Sequence, residues 1–296
     1  MKREELLSPE TLARLRGLDI KARLVVEGFL EGLHHSPYKG FSVEFSEYRS
    51  YIPGDEPRRI DWKVYAKRDR YYVREYQEET NLRAMFLIDA SASMGYCSGA
   101  LSKLDYATTL AAALSYLLTR QKDAVGLATF DTKIRELIPP RSTANHLKMI
   151  LSRLENLKPG GETNISESLH YLAEHTRKRG LIIILSDLFD EPERILLALR
   201  HFRHRKHEVI IFHILDPRED KFDFSTPFRF VDMETRKEIG LDPRLVRKEY
   251  EKALNAYRSL IKSACNEQSI DYNPILTDQS LDHALFRYLE KRRRLK

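Results

Sequence analysis

The chain has 296 residues, of which 42% are hydrophobic and 32% are charged. This balance is typical of a folded soluble protein and excludes an intrinsically disordered one. The length predicts one large α/β domain with attached elements, or two domains. A net charge of +6 at pH 7 could attract nucleic acid or anionic lipid. Acidic residues are mixed through most of the chain, however, which favours a solvated basic surface.

Targeting signals and metal-binding cysteines are not evident in the sequence. No stretch approaches the roughly 18 uninterrupted apolar residues of a membrane span, and the first ten residues, MKREELLSPE, lack the apolar core of a signal peptide. We therefore expect no membrane span and a cytoplasmic location. Cys97 and Cys265 are far apart, so neither a disulfide framework nor a zinc site is indicated.

Residues 1–80 predict a helical segment followed by a small β-rich extension. Apolar residues in 8–32 recur at helical intervals, with Ser8 and Pro9 placed as N-cap and first turn, which indicates one helix or a broken pair. Alternation in FSVEFSEYRSYI and in YYVREYQEE predicts strands. The turn residues of PGDEP separate these two segments.

Residues 81–296 predict a doubly wound, mostly parallel α/β sheet of Rossmann type. Buried-type strands at AMFLIDA, AVGLATF, LIIILSD and EVIIFHIL alternate with helices near 103–120, 144–154, 165–178 and 191–204. Such alternation places helices on both faces of the sheet. Residues 132–137 predict an antiparallel edge strand beside AVGLATF. An inserted hairpin is predicted near 226–240, followed by a helix at 243–267, a strand at 269–276 and a helix at 280–293.

Polar side chains cluster where the predicted parallel strands end, which is where ligands of open α/β sheets bind. The candidate residues carry carboxylate or hydroxyl oxygens; they are Asp89, Ser91, Ser93, Thr163, Ser186 and Asp187. Such oxygens, with no soft ligand among them, suit Mg²⁺ or Mn²⁺ in octahedral coordination. Two neighbouring carboxylates with no cation between them would raise each other's pKa, so a bound ion would also relieve their repulsion.

The pattern Asp89-x-Ser91-x-Ser93, with Thr163 after two glycines and Asp187 at a later strand end, resembles the metal-ion-dependent adhesion site of von Willebrand factor A domains. The resemblance implies that Ser91 and Ser93 coordinate the ion directly and that Thr163 does so directly or through water. It implies that Asp89 and Asp187 act mainly through bound water. The sixth position would then be open to an acidic side chain of a partner protein.

Two positions depart from the commoner form of this site. Leu188 follows Asp187, where many A domains have glycine, and Glu162 stands between Gly161 and Thr163. Leu188 leaves the carboxylate at its strand end. Glu162 could supply a ligand or could shift Thr163 away from the ion.

An upstream stretch, YRSYIPGDEPRRIDWKVYAKRDRYYVREYQEE, resembles the signature of the bacterial family called domain of unknown function 58. Proteins of that family join this stretch to a von Willebrand factor A-like domain and are commonly encoded beside MoxR-type AAA+ ATPases. The resemblance therefore implies an adaptor for a MoxR-type ATPase, acting in chaperone-like maturation of other proteins.

Several of these residues have a second interpretation. Asp89, Ser91 and Ser93 could simply cap the helix that follows the strand. Arg58, Arg59 and Trp62 could bind a partner, since arginine and tryptophan are frequent interface anchors. Alternatively, Trp62 packs on the sheet edge and the two arginines pair with neighbouring acidic residues. Asp131 could support a metal ligand or cap a turn.

A non-enzymatic, metal-dependent protein-interaction module is the function that these patterns favour. A metal-dependent phosphohydrolase or nuclease is the alternative, because a hard cation could polarise a phosphoryl oxygen or activate water. No general base is evident beside the site, and no nucleophile elbow or phosphate-binding loop is present. Nucleic-acid binding through KVYAKRDRYYVR is a third and less favoured possibility.

Overall fold

A break at Gly17 divides the predicted N-terminal helix into two. The computed structural model describes residues 8–35, 48–50, 72–74, 82–162, 164–224 and 228–294. In it, α1 spans Pro9–Arg14 and α2 spans Leu18–His35. Gly17 has a φ of 86°, a conformation that glycine adopts readily. The Ser8 side chain caps α1 by accepting a hydrogen bond from the Thr11 N–H. The broken pair is thus the alternative that is confirmed.

Two short strands of the β-rich extension are described, and they pair with each other. Strands β1 (Tyr48–Ser50) and β2 (Tyr72–Arg74) are antiparallel. Each lies in one of the two segments whose alternation predicts strands. The predicted turn between those segments, and the candidate partner-binding residues Arg58, Arg59 and Trp62, lie outside the described residues.

Six of the remaining strands form one mixed sheet, as predicted. The strands that follow are β3 (Arg83–Asp89), β4 (Ala124–Phe130), β5 (Ile134–Arg141), β6 (Leu181–Ser186), β7 (Glu208–Leu215), β8 (Phe228–Val231), β9 (Glu238–Leu241) and β10 (Asp271–Leu276). The large sheet has the order β10-β7-β6-β3-β4-β5. All its neighbours are parallel except β4 and β5, which are antiparallel. The predicted antiparallel edge strand is therefore confirmed.

Helices connect these strands. They are α3 (Lys103–Arg120), α4 (Ala144–Glu155), α5 (Ile165–His175), α6 (Pro192–His204), α7 (Pro217–Lys221), α8 (Pro243–Glu267) and α9 (Leu281–Arg294), and a 3₁₀ turn covers Ala92–Gly95. The bounds agree with prediction to within one residue, except that α5 ends three residues early and that α7 was not predicted. None of the helices in the described ranges is long and apolar enough to cross a bilayer.

The sheet has a hydrophobic core on each face. Along β3, Phe86 and Ile88 join the core formed with α2, α3, α4 and α9, whereas Met85 and Leu87 join the core formed with α5, α6 and α8. Burial on both faces explains why the strand sequences are continuously apolar instead of alternating. The predicted doubly wound α/β class is confirmed.

The order of the strands creates a switch point at β3. From β3 the chain passes to β4 on one side, and it later returns to β6 on the other side. The carboxyl ends of β3 and β6 are therefore adjacent, and the connections that follow them leave toward opposite faces of the sheet. A crevice at such a point is the usual ligand site of open α/β sheets.

The predicted hairpin is formed by β8 and β9, which pair antiparallel between Phe228 and Leu241. Asp232 shapes its tip by accepting hydrogen bonds from the Glu234 N–H at 2.8 Å and the Thr235 hydroxyl at 2.6 Å. A Cβ added to Gly95 would lie 3.6 Å from Cε of Met233. The hairpin tip therefore lies beside the turn that follows β3.

Candidate metal-binding site

Asp89 ends β3 and ties the turn after this strand to the end of β6. Its carboxylate is fully buried. Oδ1 accepts a hydrogen bond from the Ser91 N–H at 2.9 Å, and Oδ2 accepts one from the Ser186 hydroxyl at 2.6 Å. The Ser186 oxygen in turn accepts from the Leu188 N–H at 2.8 Å. The Asp89 carboxylate is thus oriented by both strands of the switch point.

The hydroxyls of Ser91 and Ser93 face each other in the turn that follows β3. Their Oγ atoms are 3.0 Å apart. Ser91 precedes the 3₁₀ turn but makes no capping hydrogen bond with its side chain. Helix α3 is capped instead by Ser102, in a capping box with Asp105. The serines of the motif are therefore not explained as helix caps.

The glycine loop that leads to Thr163 lies against the Asp89 turn. The Gly160 N–H donates to the Ala90 carbonyl, and the Ala92 N–H donates to the Gly161 carbonyl, each at 3.0 Å. Gly161 has a φ of 77°, and a Cβ there would lie 2.8 Å from Oδ2 of Asp131. The loop therefore needs glycine at this position. Thr163 itself lies outside the described residues, so its role stays a prediction.

Asp131 supports this loop. Its carboxylate accepts hydrogen bonds from the Lys133 N–H at 3.1 Å and from Arg135 Nε at 2.7 Å. Arg135 also donates to the Lys158 carbonyl at 2.7 Å and to the Gly160 carbonyl. Burial acts to raise the pKa of Asp131, but these hydrogen bonds outweigh burial and lower it. Asp131 both organises its own turn and, through Arg135, positions the glycine loop.

Asp187, which follows β6, is paired with a buried lysine that sequence reasoning missed. Lys103 Nζ lies 2.8 Å from Oδ2 of Asp187 and 3.0 Å from Oε1 of Glu219. The Lys103 side chain is only 2% exposed. The available signal was its position, because a lysine at the first residue of a helix faces the positive end of the helix dipole. Most of the other α3 residues are buried as well.

The charges of this cluster are unevenly balanced. Burial, and then the charge of Asp187, raise the pKa of Asp89 above its usual range. Burial also acts to raise the pKa of Asp187, but the charge and hydrogen bond of Lys103 outweigh it and lower that pKa. Burial acts to lower the pKa of Lys103, but its two carboxylate partners outweigh burial, so the pKa of Lys103 is raised. Lys103 therefore balances the negative charge of Asp187. In the described part of the chain, no cationic group hydrogen-bonds to Asp89.

The donor set is compatible with a hard divalent cation. Asp89, Ser91, Ser93 and Asp187 present only hydroxyl and carboxylate oxygens, which Mg²⁺ and Mn²⁺ prefer. Across the described ranges, no group of three or more His, Cys, Asp or Glu side chains is arranged to hold a metal ion. An ion here would depend on the serine hydroxyls. Burial and then the charge of Asp187 raise the pKa of the Asp89 carboxylate, and a cation bound here would offset its negative charge.

Leu188, which stands where the resemblance leads one to expect glycine, has a backbone conformation that glycine adopts readily. Its φ of 53° is in the left-handed region, which costs an L-residue about 1–2 kcal/mol. The side chain is buried, and the Tyr257 hydroxyl donates to the Leu188 carbonyl. These contacts hold the strained residue in place. The next residue, Phe189, is 72% exposed beside the site.

A doubly wound α/β domain with an oxygen-lined cluster at its switch point is a ligand-binding architecture. A family comparison identifies the domain further. The model of the family described as protein of unknown function DUF58 matches residues 47–259. The chain belongs to this family, as the signature stretch predicts.

The curated relatives of the chain come from mycobacteria. An uncharacterized protein of Mycobacterium tuberculosis strain H37Rv, Rv1480, is 27% identical over 299 residues, which cover 99% of this chain and 93% of the relative. The uncharacterized protein Mb1516 of Mycobacterium bovis matches to the same extent, with 27% identity, 99% of this chain and 93% of its own length. The similarity therefore extends over nearly the whole of both chains.

Solved structures that resemble the chain include two that are described as von Willebrand factor A domains. The conserved hypothetical protein BatB from Bacteroides thetaiotaomicron is 16% identical, with a TM-score of 0.49 over 71% of this chain and 98% of that one. The VWA domain of SpRpn10 is 13% identical, with a TM-score of 0.41 over 69% and 94% of the two chains. A von Willebrand factor type A protein from Catenulispora acidiphila is 13% identical, with a TM-score of 0.35 over 61% and 42%.

Proposed function

We propose that the chain is a non-enzymatic interaction module whose switch-point site binds Mg²⁺ or Mn²⁺ and captures an acidic side chain of a partner protein. The proposed ligands are Asp89, Ser91, Ser93, Thr163 and Asp187. The observation that carries the proposal is a group of hydroxyl and carboxylate oxygens at the adjacent ends of β3 and β6. The Ser186 hydroxyl and the Ser91 N–H donate to Asp89, and the hydroxyls of Ser91 and Ser93 are 3.0 Å apart.

The protein groups would prepare the site, and the cation would supply an open coordination position for a carboxylate. Ser186 and the Ser91 N–H fix the Asp89 carboxylate. The Phe189 N–H donates to Oδ1 of Asp187 at 3.4 Å. The glycine loop, held by Arg135, packs against the Asp89 turn and leads in sequence to Thr163. Prepositioned oxygens of this kind lower the cost of binding, because few groups need to be ordered when the ligand arrives.

The surroundings of the site favour binding over hydrolysis. His213 is a buried imidazole on β7 beside the end of β6, and its Nδ1 lies 2.5 Å from the Tyr272 hydroxyl. That nitrogen is engaged, and burial lowers the pKa of the ring, so His213 is a weak general base. No observation favours the phosphohydrolase or nuclease alternative.

We further propose that the partner is a MoxR-type AAA+ ATPase and that the chain acts as its adaptor in chaperone-like maturation of other proteins. The support is the resemblance of the signature stretch to that family, whose members are commonly encoded beside such ATPases. In this arrangement an aspartate or glutamate of the partner would complete the coordination of the ion.

A capture experiment tests this function. The immobilised chain is offered a MoxR-type ATPase from the same organism, in Mg²⁺ and in chelator. We expect capture in Mg²⁺ only, and loss of capture in Asp89→Ala. Asp223→Ala, at an aspartate whose side chain is 75% exposed in the loop after α7, is the matched control. If capture is undiminished both in chelator and by Asp89→Ala, the partner does not bind through an ion at this site.

A further inference from the structure

Lys103 places a permanent positive charge inside the proposed metal site. We propose that its ammonium competes with the divalent cation for Asp187 and thereby sets the affinity of the site for metal. This inference rests on the proposed function and deepens it, because it states what keeps the same site empty at low metal concentration.

The geometry holds the ammonium against Asp187. Nζ of Lys103 is 2.8 Å from Oδ2 of Asp187, and both side chains are almost fully buried. The Tyr96 ring lies 6.0 Å away on another side of the ammonium. A cation that drew on the Asp187 carboxylate would have to share it with this ammonium. At the low effective dielectric of a buried site, two positive charges a few ångströms apart repel strongly.

Glu219 gives the ammonium a second partner. It lies 3.0 Å from Nζ and is partly exposed, with 31% of its side chain accessible. It belongs to α7, where it completes a capping box with Asp216, and its carbonyl accepts a hydrogen bond from the Tyr250 hydroxyl at 2.9 Å. When a metal ion binds Asp187, Lys103 can therefore remain paired with Glu219. The buried ammonium is then not left without a partner.

A purely structural role of Lys103 would lead to a different result. In that case Lys103 only neutralises Asp187 and Glu219, and its removal would destabilise the fold without changing the metal affinity. Competition predicts tighter metal binding when the ammonium is removed. Net charge can be separated from competition, since Lys103→Met combined with Glu219→Gln removes one positive and one negative charge together.

The experiment measures Mn²⁺ binding by electron paramagnetic resonance in the wild type, Lys103→Met, the double variant Lys103→Met/Glu219→Gln, and Lys148→Met. Lys148 is an exposed lysine on α4 and serves as the matched control. We expect affinity to rise about tenfold or more in Lys103→Met, and to rise also in the double variant, because Asp187 is freed in both. Lys148→Met should bind as the wild type does.

If Lys103→Met fails to fold, the double variant can still be tested. Lys103→Met leaves both Asp187 and Glu219 without their lysine partner, whereas the double variant leaves only Asp187. Circular dichroism establishes folding before metal is added. Equal or weaker Mn²⁺ binding in the folded double variant, beside measurable binding by the wild type, overturns the competition and leaves the proposed function standing. Absence of Mn²⁺ binding in all four proteins overturns both.

Discussion

Ser186 illustrates how one hydroxyl can determine the geometry of the whole cluster. It donates to Asp89 and accepts from the Leu188 N–H, so it links the end of β3 to the strained turn after β6. Both of its partners are buried. Its removal would leave a carboxylate oxygen and a backbone N–H without their partner, and such losses cost more than the bond itself contributes.

Ser186→Ala should therefore lower the free energy of unfolding by about 1–3 kcal/mol. Ser142→Ala, at an exposed serine after β5, should change it by less than about 0.5 kcal/mol. Urea denaturation followed by circular dichroism measures both. Equal stability of the two variants would show that the Ser186 hydrogen bonds do not hold the turn.

Some residues of the site were predictable and others were not. Asp89, Ser91, Ser93 and Asp187 could be placed together because parallel strands bring their carboxyl ends to one edge. Lys103 could not, because its contact with Asp187 depends on how helix α3 packs against the sheet and not on where a strand ends. The surroundings of Thr163 could be inferred only through the glycines that precede it.

Among the elements, the start of β6 depends on a close backbone contact. A Cβ added to Gly180 would lie 2.2 Å from the carbonyl oxygen of Arg83, at the start of β3. Real Cβ contacts do not come so close, so the strand would have to move. Helix α5 ends at His175, before the predicted end at 178, because its C-cap residue Thr176 leaves the helical conformation with a ψ of 83°.

Gly180→Ala should accordingly destabilise the fold by about 1–3 kcal/mol through overpacking. Gly99→Ala is the control, since a Cβ at that exposed glycine meets nothing within 4 Å. Thermal unfolding of the two variants and the wild type measures the difference. If Gly180→Ala melts together with Gly99→Ala, the strands do not meet as closely as described.

Periodicity predicted the long elements and missed the short one. Strands β3, β4, β6 and β7 are buried on both faces, so they read as uninterrupted apolar runs that are easily recognised. Helix α7 has five residues, too few to show a helical repeat. Its Asp216-Pro217 start and the Glu219 of its capping box were the available signals.

On the scale of the whole molecule, one exposed aromatic side chain close to Asp187 bears on partner binding. Phe189 is 72% exposed, two residues after Asp187. Exposed aromatic side chains next to a polar anchor are frequent hot spots of protein interfaces. We infer that a partner carboxylate at the ion would be flanked by an apolar group packed on Phe189.

Phe189→Ser should weaken capture of the partner by about tenfold or more while leaving Mn²⁺ affinity unchanged. Leu245→Ser is the control, at a leucine of α8 that is 80% exposed. Surface plasmon resonance with the immobilised chain compares the three proteins. Capture by Phe189→Ser equal to that by Leu245→Ser would remove Phe189 from the interface.

The order of the strands in the sheet was not predictable from periodicity, because either β4 or β6 could have lain beside β3 on a given side. The structure places one on each side, and this arrangement makes the switch point. The resemblance to the family added what pattern alone did not contain. It connected the Asp89 turn to the signature stretch upstream, and the family match over residues 47–259 agrees with it.

The central claim is that Asp89, Ser91, Ser93 and Asp187 hold a divalent cation. An experimental structure of the chain with Mn²⁺, examined by anomalous scattering, tests this most directly. We predict an anomalous peak about 2.0–2.3 Å from the hydroxyl oxygens of Ser91 and Ser93, with Lys103 moved toward Glu219. A map with no peak at this edge of the sheet, and with Lys103 still bound to Asp187, would contradict the claim.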